Sequence, residues 1–179
     1  MNALGFLIEV LFGLALMAVV LRFWLQAARA DFYNPVSQTI VKLTNPLLLP
    51  LQTFLPSKGQ WNIAALLLAF LVAAAKYVVL SLMLNGALNP IAISIISLVA
   101  VINEFLTLAF WILIIRAILS WFSQGHNPAE LIMMQLTEPF LRPIRNLLPP
   151  MGGLDLSVLL AIIAIQFIKI LLGDLFGVM

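Results

Sequence analysis

Four charged residues stand where a charge is costly. Glu9, Lys76, Glu104 and Lys169 each interrupt a run of apolar residues, in a chain that is 64% hydrophobic and 9% charged. Glu9 lies 13 residues before Arg22, and Glu104 lies 12 before Arg116. Lys76 follows Asn62 by 14 residues, and Lys169 follows Asp155 by 14. On helices rising 1.5 Å per residue, all four fall roughly 18–21 Å from the polar ends of their segments. An acid and a base at one depth, twice over, can act as buried pairs. Those pairs are Glu9–Lys76 and Glu104–Lys169 within each half, or Glu9–Lys169 and Glu104–Lys76 across them. Alternatively the four line an ion or proton path, with Asn103 and Gln166 as polar company. In a purely structural reading, the pairs set helix register or the lysines snorkel to the outer interface.

Little else in the chain suits catalysis. The absence of cysteine excludes disulfides, iron–sulfur clusters, thiolate zinc sites and cysteine nucleophiles of its own. The single histidine, His126, precedes a predicted helix cap and reads as a loop residue. No zinc helix, phosphate loop or nucleophile elbow occurs. No catalytic residue, metal site or cofactor is therefore expected. A net charge of +2, scattered along the chain, does not suggest nucleic acid as a direct partner.

The apolar background dictates the elements. A chain of 179 residues with mean hydropathy +1.15 is too apolar for a soluble domain, in which about half the residues are apolar. About 20 apolar residues cross the hydrocarbon core as a helix. Four runs have that length, roughly Leu4 to Gln26, Ile63 to Leu84, Ile91 to Phe122 and Leu156 to Val178. The third is long enough to tilt or to extend beyond the bilayer. The expected fold is an all-α membrane protein with four transmembrane helices. A cleaved leader ending at Ala28-Arg29-Ala30 fits less well. No Lys or Arg precedes the first run, Glu9 interrupts it, and it exceeds a signal core in length.

The four spans form two copies of one unit. A shift of 93 residues lays Thr44 on Thr137, Pro46 on Pro139, Pro50 on Pro143, Pro56 on Pro149 and Gly59 on Gly152. It also lays Asn34-Pro35 on Asn127-Pro128 and Lys76 on Lys169, while a shift of 94 lays Arg22 on Arg116. Leucine matches mean little in this composition; registered prolines and an intramembrane lysine in both halves mean more. The chain reads as an internal duplication, with residues 1–88 and 89–179 as its units. Each unit is helix, polar-punctuated segment, helix, the segments covering about 33–56 and 126–149. A unit that crosses twice returns to its starting side. Both copies then insert in one orientation, related by a pseudo-twofold axis along the membrane normal.

Positive charge sets the orientation. Arg29, Lys42 and Lys58 lie in the first long segment, with Arg22 at its edge; Arg142 and Arg145 lie in the second, with Arg116 near its entry. The link from Asn85 to Pro90 carries no charge, and neither terminus has Lys or Arg outside its helix. The long segments are expected to face the cytoplasm, with both termini outside.

Asn127-Pro128-Ala129-Glu130 has the pattern of a helix start, with Asn as cap, Pro at the first position and Glu in the first turn. Asn34-Pro35 opens the matching segment. Further on, Phe140, Leu141, Ile144, Leu147 and Leu148 keep one helical face, with Arg142, Arg145 and Asn146 largely on the other. In the first copy Leu49 and Gln52 replace the two arginines. Pro139 and Pro143 are expected to limit continuous helix, making this a second short element. Such amphipathic segments lie on the membrane face among anionic headgroups or cap the bundle. Asp155 and Ser157 are candidate caps of the last helix.

The stretch Arg116-Ala-Ile-Leu-Ser-Trp121, followed by Asn127-Pro128 and TEPFLRPIRNLLPPMGGLDLS, resembles the repeat of the YggT family of small bacterial membrane proteins, which has plastid relatives. The resemblance covers nearly the whole chain as two copies. By position it takes in Arg116, Ser120, Trp121, Asn127, Pro128, Thr137, Pro139, Pro143, Arg145, Pro149, Gly152, Asp155 and Ser157. Val158 stands where the family often has proline, and the first copy has Arg22-Phe23-Trp24 without the Ser-Trp step and Asn62 in place of the aspartate. These departures favour the second half as the better-preserved copy. Some relatives carry one copy, which suits a dimer later fused into a tandem chain. The resemblance implies a bacterial inner-membrane protein. It also implies links to osmotic or ionic stress tolerance, to cell-division gene neighbourhoods and, in plastids, to cytochrome complex assembly and nucleoid distribution.

Two functions follow as expectations. One is a non-catalytic membrane factor that organises or assembles partners or lipids at the cytoplasmic face. Its contacts would be Arg116, Trp121, Asn127, Thr137, Arg142, Arg145 and Asp155. The other is an ion channel or transporter component built on Glu9, Lys76, Glu104 and Lys169. Expected partners are the bilayer, anionic lipids and other membrane proteins, with a homo-oligomer also open.

Overall fold

The computed structural model describes residues 3–55, 59–84, 86, 88–122, 127–147 and 156–177, with only the backbone at Trp121 and Phe122. Six helices run in order: α1 Ala3–Ala27, α2 Pro35–Phe54, α3 Ile63–Met83, α4 Pro90–Phe122, α5 Pro128–Leu147 and α6 Leu156–Phe176. Four of them, α1, α3, α4 and α6, are long and apolar enough to cross a membrane. They are apolar on all sides, which suits helices whose outward face meets acyl chains rather than water. Leu14, Trp111, Ile163 and Phe167 accordingly stay exposed. This is a multi-pass membrane protein.

Helix packing follows the duplication. α1 packs on α3 as α4 packs on α6; α2 lies against α1 and α3 as α5 lies against α4 and α6. Across the halves α3 also packs on α4, with no equally extensive contact between α6 and α1 among the described residues, while α1 meets α4 and α2 meets α5. Like elements meeting like is what a pseudo-twofold axis requires. Lipid tails offer no hydrophobic incentive for helices to associate, so close packing must hold them. Small residues supply it: Ala64, Ala65, Ala69 and Ala73 of α3 are buried, facing Leu16, Val19, Val20 and Leu25 in the same core. Trp24 joins the halves. Its ring centroid lies 4.5 Å from that of Phe105 on α4 and 6.2 Å from that of Phe140 on α5.

The connecting segments differ from expectation in one respect. The prolines do not divide them; each is a single helix of 20 residues with Pro46 and Pro50 or Pro139 and Pro143 inside it. The reason lies in their spacing. Prolines four apart lose hydrogen bonds on one stripe of the helix, and all four are exposed. The carbonyls they leave without a partner therefore face the polar surroundings, where they are solvated. On the buried side Thr44 donates to the carbonyl of Ile40 at 2.8 Å, and Thr137 donates to that of Met133 at 2.7 Å.

The helix starts follow the cap pattern. Asn34 Oδ1 accepts from Val36 N–H at 2.9 Å with Pro35 at the first position, and Asn127 Oδ1 accepts from Ala129 N–H at 3.0 Å. Asn34 Nδ2 also donates to the carbonyl of Pro128 at 2.7 Å. Gln135 Oε1 accepts from Asp31 N–H at 2.9 Å. The two segments are thus stitched together near the symmetry axis.

Candidate functional site

In the second repeat α4 and α5 bring together Arg116, Thr137, Glu138 and Arg145. Arg116 sits six residues before the end of α4, with its side chain only 17% exposed. Nη1 donates to Oγ1 of the fully buried Thr137, and Nη2 lies 3.6 Å from Glu138 Oε2. Arg145, two turns further along α5, donates to Glu138 Oε1 at 2.9 Å. One carboxylate thus serves two guanidiniums, an arrangement of charge-assisted bonds that holds α5 against the end of α4.

The first repeat meets the same need differently. Arg22 and Thr44 occupy the corresponding places, but Asn45 stands where Glu138 would be and Gln52 where Arg145 would be. Among the described residues, Nε and Nη1 of Arg22 are buried without a hydrogen-bond acceptor, and the guanidinium stands 5.2 Å from the Phe32 ring centroid. Around it opens a cleft of about 750 Å³ lined by Arg22, Gln26, Arg29, Phe32, Gln52 and Gln60, among others. Gln26, one turn beyond Arg22 on the same face of α1, accepts from Asn62 Nδ2 at 2.9 Å. Asn62 is fully buried and caps α3 by accepting from Ala65 N–H at 3.0 Å.

The intramembrane charges are arranged unequally as well. Lys76 Nζ lies 3.7 Å from Glu9 Oε1, an ion pair within the first repeat. In the second, Lys169 Nζ donates instead to Thr107 Oγ1 at 2.9 Å. Glu104 lies within ion-pair distance of neither Lys76 nor Lys169. Register explains this. The shift of 94 that matches Arg22 to Arg116 lays Glu9 on Asn103, not on Glu104. One residue turns a side chain by about 100° around a helix. Glu104 is thereby carried off the face on which Glu9 meets Lys76.

Comparison with known proteins bears on the whole chain. The family model described as CCB3/YggT matches residues 1–83 and again 95–176. The chain belongs to the CCB3/YggT family. The protein of the proC 3′ region of Vibrio alginolyticus is 50% identical over 179 residues, covering 99% of this chain and 97% of that protein. The YggT protein of Escherichia coli K12 is 41% identical over 169 residues, covering 94% and 88%. A shorter match, 36% over 63 residues, joins 35% of this chain to 25% of the chloroplastic YlmG homolog protein 2 of Arabidopsis thaliana. No solved structure matches.

Within this family chain the residues singled out from sequence have separate fates. Arg116, Thr137 and Arg145 come together around Glu138. Arg142 is exposed on α5, and Asn127 serves as a cap. The side chain of Trp121 lies outside the described residues, as do Asp155 and His126. Glu138 and Gln26 escaped sequence reasoning, and Arg29 entered it only as an orienting charge. The signal for Glu138 was present in its own difference from Asn45 at the matching place.

Proposed function

We propose that this chain is a non-catalytic protein of the bacterial inner membrane that organises lipids or partner proteins at the cytoplasmic face. The working surface is the exposed side of α2 and α5. The observation that carries this reading is the distribution of charge along those helices. They bury Ser37, Thr44 and Leu48, and Ile132, Leu136 and Leu141, against the spans. They leave Lys42, Arg142 and Arg145 exposed. A helix of that character lies in the interface with its basic side among headgroups. By the positive-inside rule this side is cytoplasmic and the termini are outside. Roles in osmotic or ionic stress tolerance, division or envelope maintenance rest on family resemblance.

Photo-crosslinkers placed at positions 142 and 145 test the reading in membranes. Capture of defined proteins or anionic lipids is expected; capture of neither overturns it. Because the chain has no cysteine, single introduced cysteines at positions 42 and 142 report their side by labelling. Labelling from outside the cell would reverse the orientation.

A conduit is the second reading, and the unequal cluster of Lys76, Glu104 and Lys169 is what favours it. Against it stand cavities of about 240 Å³ and 330 Å³ among the spans, lined by apolar side chains such as Phe23, Val101, Leu106 and Ile165. Reconstituted liposomes that pass ions under voltage or osmotic drive, and lose the flux in Glu104→Gln, would establish this reading over the first.

A further inference from the structure

Among the described residues, the cleft at the end of α1 is lined by two guanidiniums and no acid. Nε and Nη1 of Arg22 are buried and have no acceptor among the described residues. Among the described residues no carboxylate lies within ion-pair distance of Arg22 or Arg29. The nearby Asp31 carboxylate instead accepts from Tyr33 N–H at 2.8 Å. A buried donor of this kind is expensive unless something accepts from it, and more so when it is charged. In the second repeat the chain supplies that acceptor itself, as Glu138 on Arg116. In the first repeat Asn45 occupies the place of Glu138.

Arg29 adds an independent sign. Its N–H donates to the Gln26 carbonyl at 3.1 Å, and Ala30 N–H donates to that of Leu25 at 2.9 Å. This pattern closes a helix with its penultimate residue in the left-handed region, where glycine is preferred. Arg29 takes that place with φ 52°. A side chain kept where its backbone is disfavoured points to use of the side chain. Arg29 Nε donates to Gln60 Oε1 at 3.0 Å, which steadies the guanidinium beside the cleft.

We propose that this cleft binds a phosphate group, with Arg22 and Arg29 supplying the charge and Gln26, Gln52 and Gln60 neutral hydrogen-bonding partners. Planar guanidinium forks match phosphate oxygens in pairs. Arg22 lies five residues from the end of α1, and the ends of membrane helices are at the depth of lipid phosphates. The phosphate is therefore carried by an anionic phospholipid or is free in solution. The cleft is lined from α1, α2 and the approach to α3 and takes no residue from α5, so it does not depend on the role of Arg142.

Thermal unfolding of the full chain in a phosphate-free neutral detergent tests the proposal, with phosphatidylglycerol, phosphatidylcholine or inorganic phosphate added. A ligand that binds the folded state raises Tm. A rise with phosphatidylglycerol alone identifies a lipid phosphate, and a rise with inorganic phosphate identifies a free one. No rise with either overturns the proposal. Arg29→Gly removes the charge while relieving the backbone, so its ligand-free Tm should hold or rise. Its affinity for the ligand should fall about tenfold or more. Asn45→Glu should raise the ligand-free Tm and abolish the ligand's effect by giving Arg22 the carboxylate that Arg116 has. Full ligand response in both variants overturns the proposal. Loss of response in Arg142→Gln but not in Arg29→Gly moves the effect to the other surface and equally overturns the proposal.

Discussion

Arg116 donates from Nη1 to the buried hydroxyl of Thr137, joining the long span of the second repeat to the helix that follows it. Thr137 passes the bond on to the carbonyl of Met133. Thr137→Val keeps the shape and removes the acceptor, leaving a guanidinium nitrogen short of a partner. The expected loss is about 1–3 kcal/mol. Thr44→Val should cost less, because Arg22 makes no such bond. Unfolding of the two variants in detergent compares them, and equal losses would count against the difference between the repeats.

The ion pair of Glu9 and Lys76 is open to a double-mutant cycle. Lys76 is 18% exposed and Glu9 48%, so a coupling of no more than about 1 kcal/mol is expected. Glu104 and Lys169 should couple more weakly than Thr107 and Lys169, which share a hydrogen bond. A strong Glu104–Lys169 coupling would show that the carboxylate reaches across after all.

Asn62 is fully buried, caps α3 and holds Gln26. Asn62→Ala should cost about 1–2 kcal/mol. Asn127→Ala, at an exposed cap, should cost less. Denaturation midpoints of the pair decide the order.

The prolines make a prediction of opposite sign. Pro143 is exposed inside an unbroken helix, and proline is about 3 kcal/mol worse than alanine in a helix interior. Pro143→Ala should therefore raise stability, by about 1 kcal/mol or more if the helix is otherwise unchanged. A fall in Tm would mean that the ring itself packs against something.

Much of this architecture is legible in the residues, because apolar run length and registered prolines are long-range, low-ambiguity signals. Thr44 and Thr137, matched by a shift of 93, are both buried and both bonded to the carbonyl four residues back. Continuity of α2 and α5 was not legible. Proline's local cost is visible in sequence, whereas the exposure of Pro46, Pro50, Pro139 and Pro143 on one stripe depends on packing. The geometry at Glu104 turned on a single residue of register, which matching charges by depth does not resolve. The cleft beside Arg22 combines residues from α1, α2 and the approach to α3. Only the fold brings Gln52 and Gln60 to one place.

The carboxylate of Glu138 has a consequence for how such a chain drifts. In the second repeat, losing Arg116 leaves the Thr137 hydroxyl only its bond to the Met133 carbonyl and takes one partner from a carboxylate shared with Arg145, so each member constrains the others. In the first, losing Arg22 strands no carboxylate among the described residues. If the cleft holds a phosphate, substitution there is restrained more by that ligand than by the chain's own bonds. Descendants of this duplication should therefore keep the second set together as a block. At positions 22 and 29 they should vary with the membrane they inhabit.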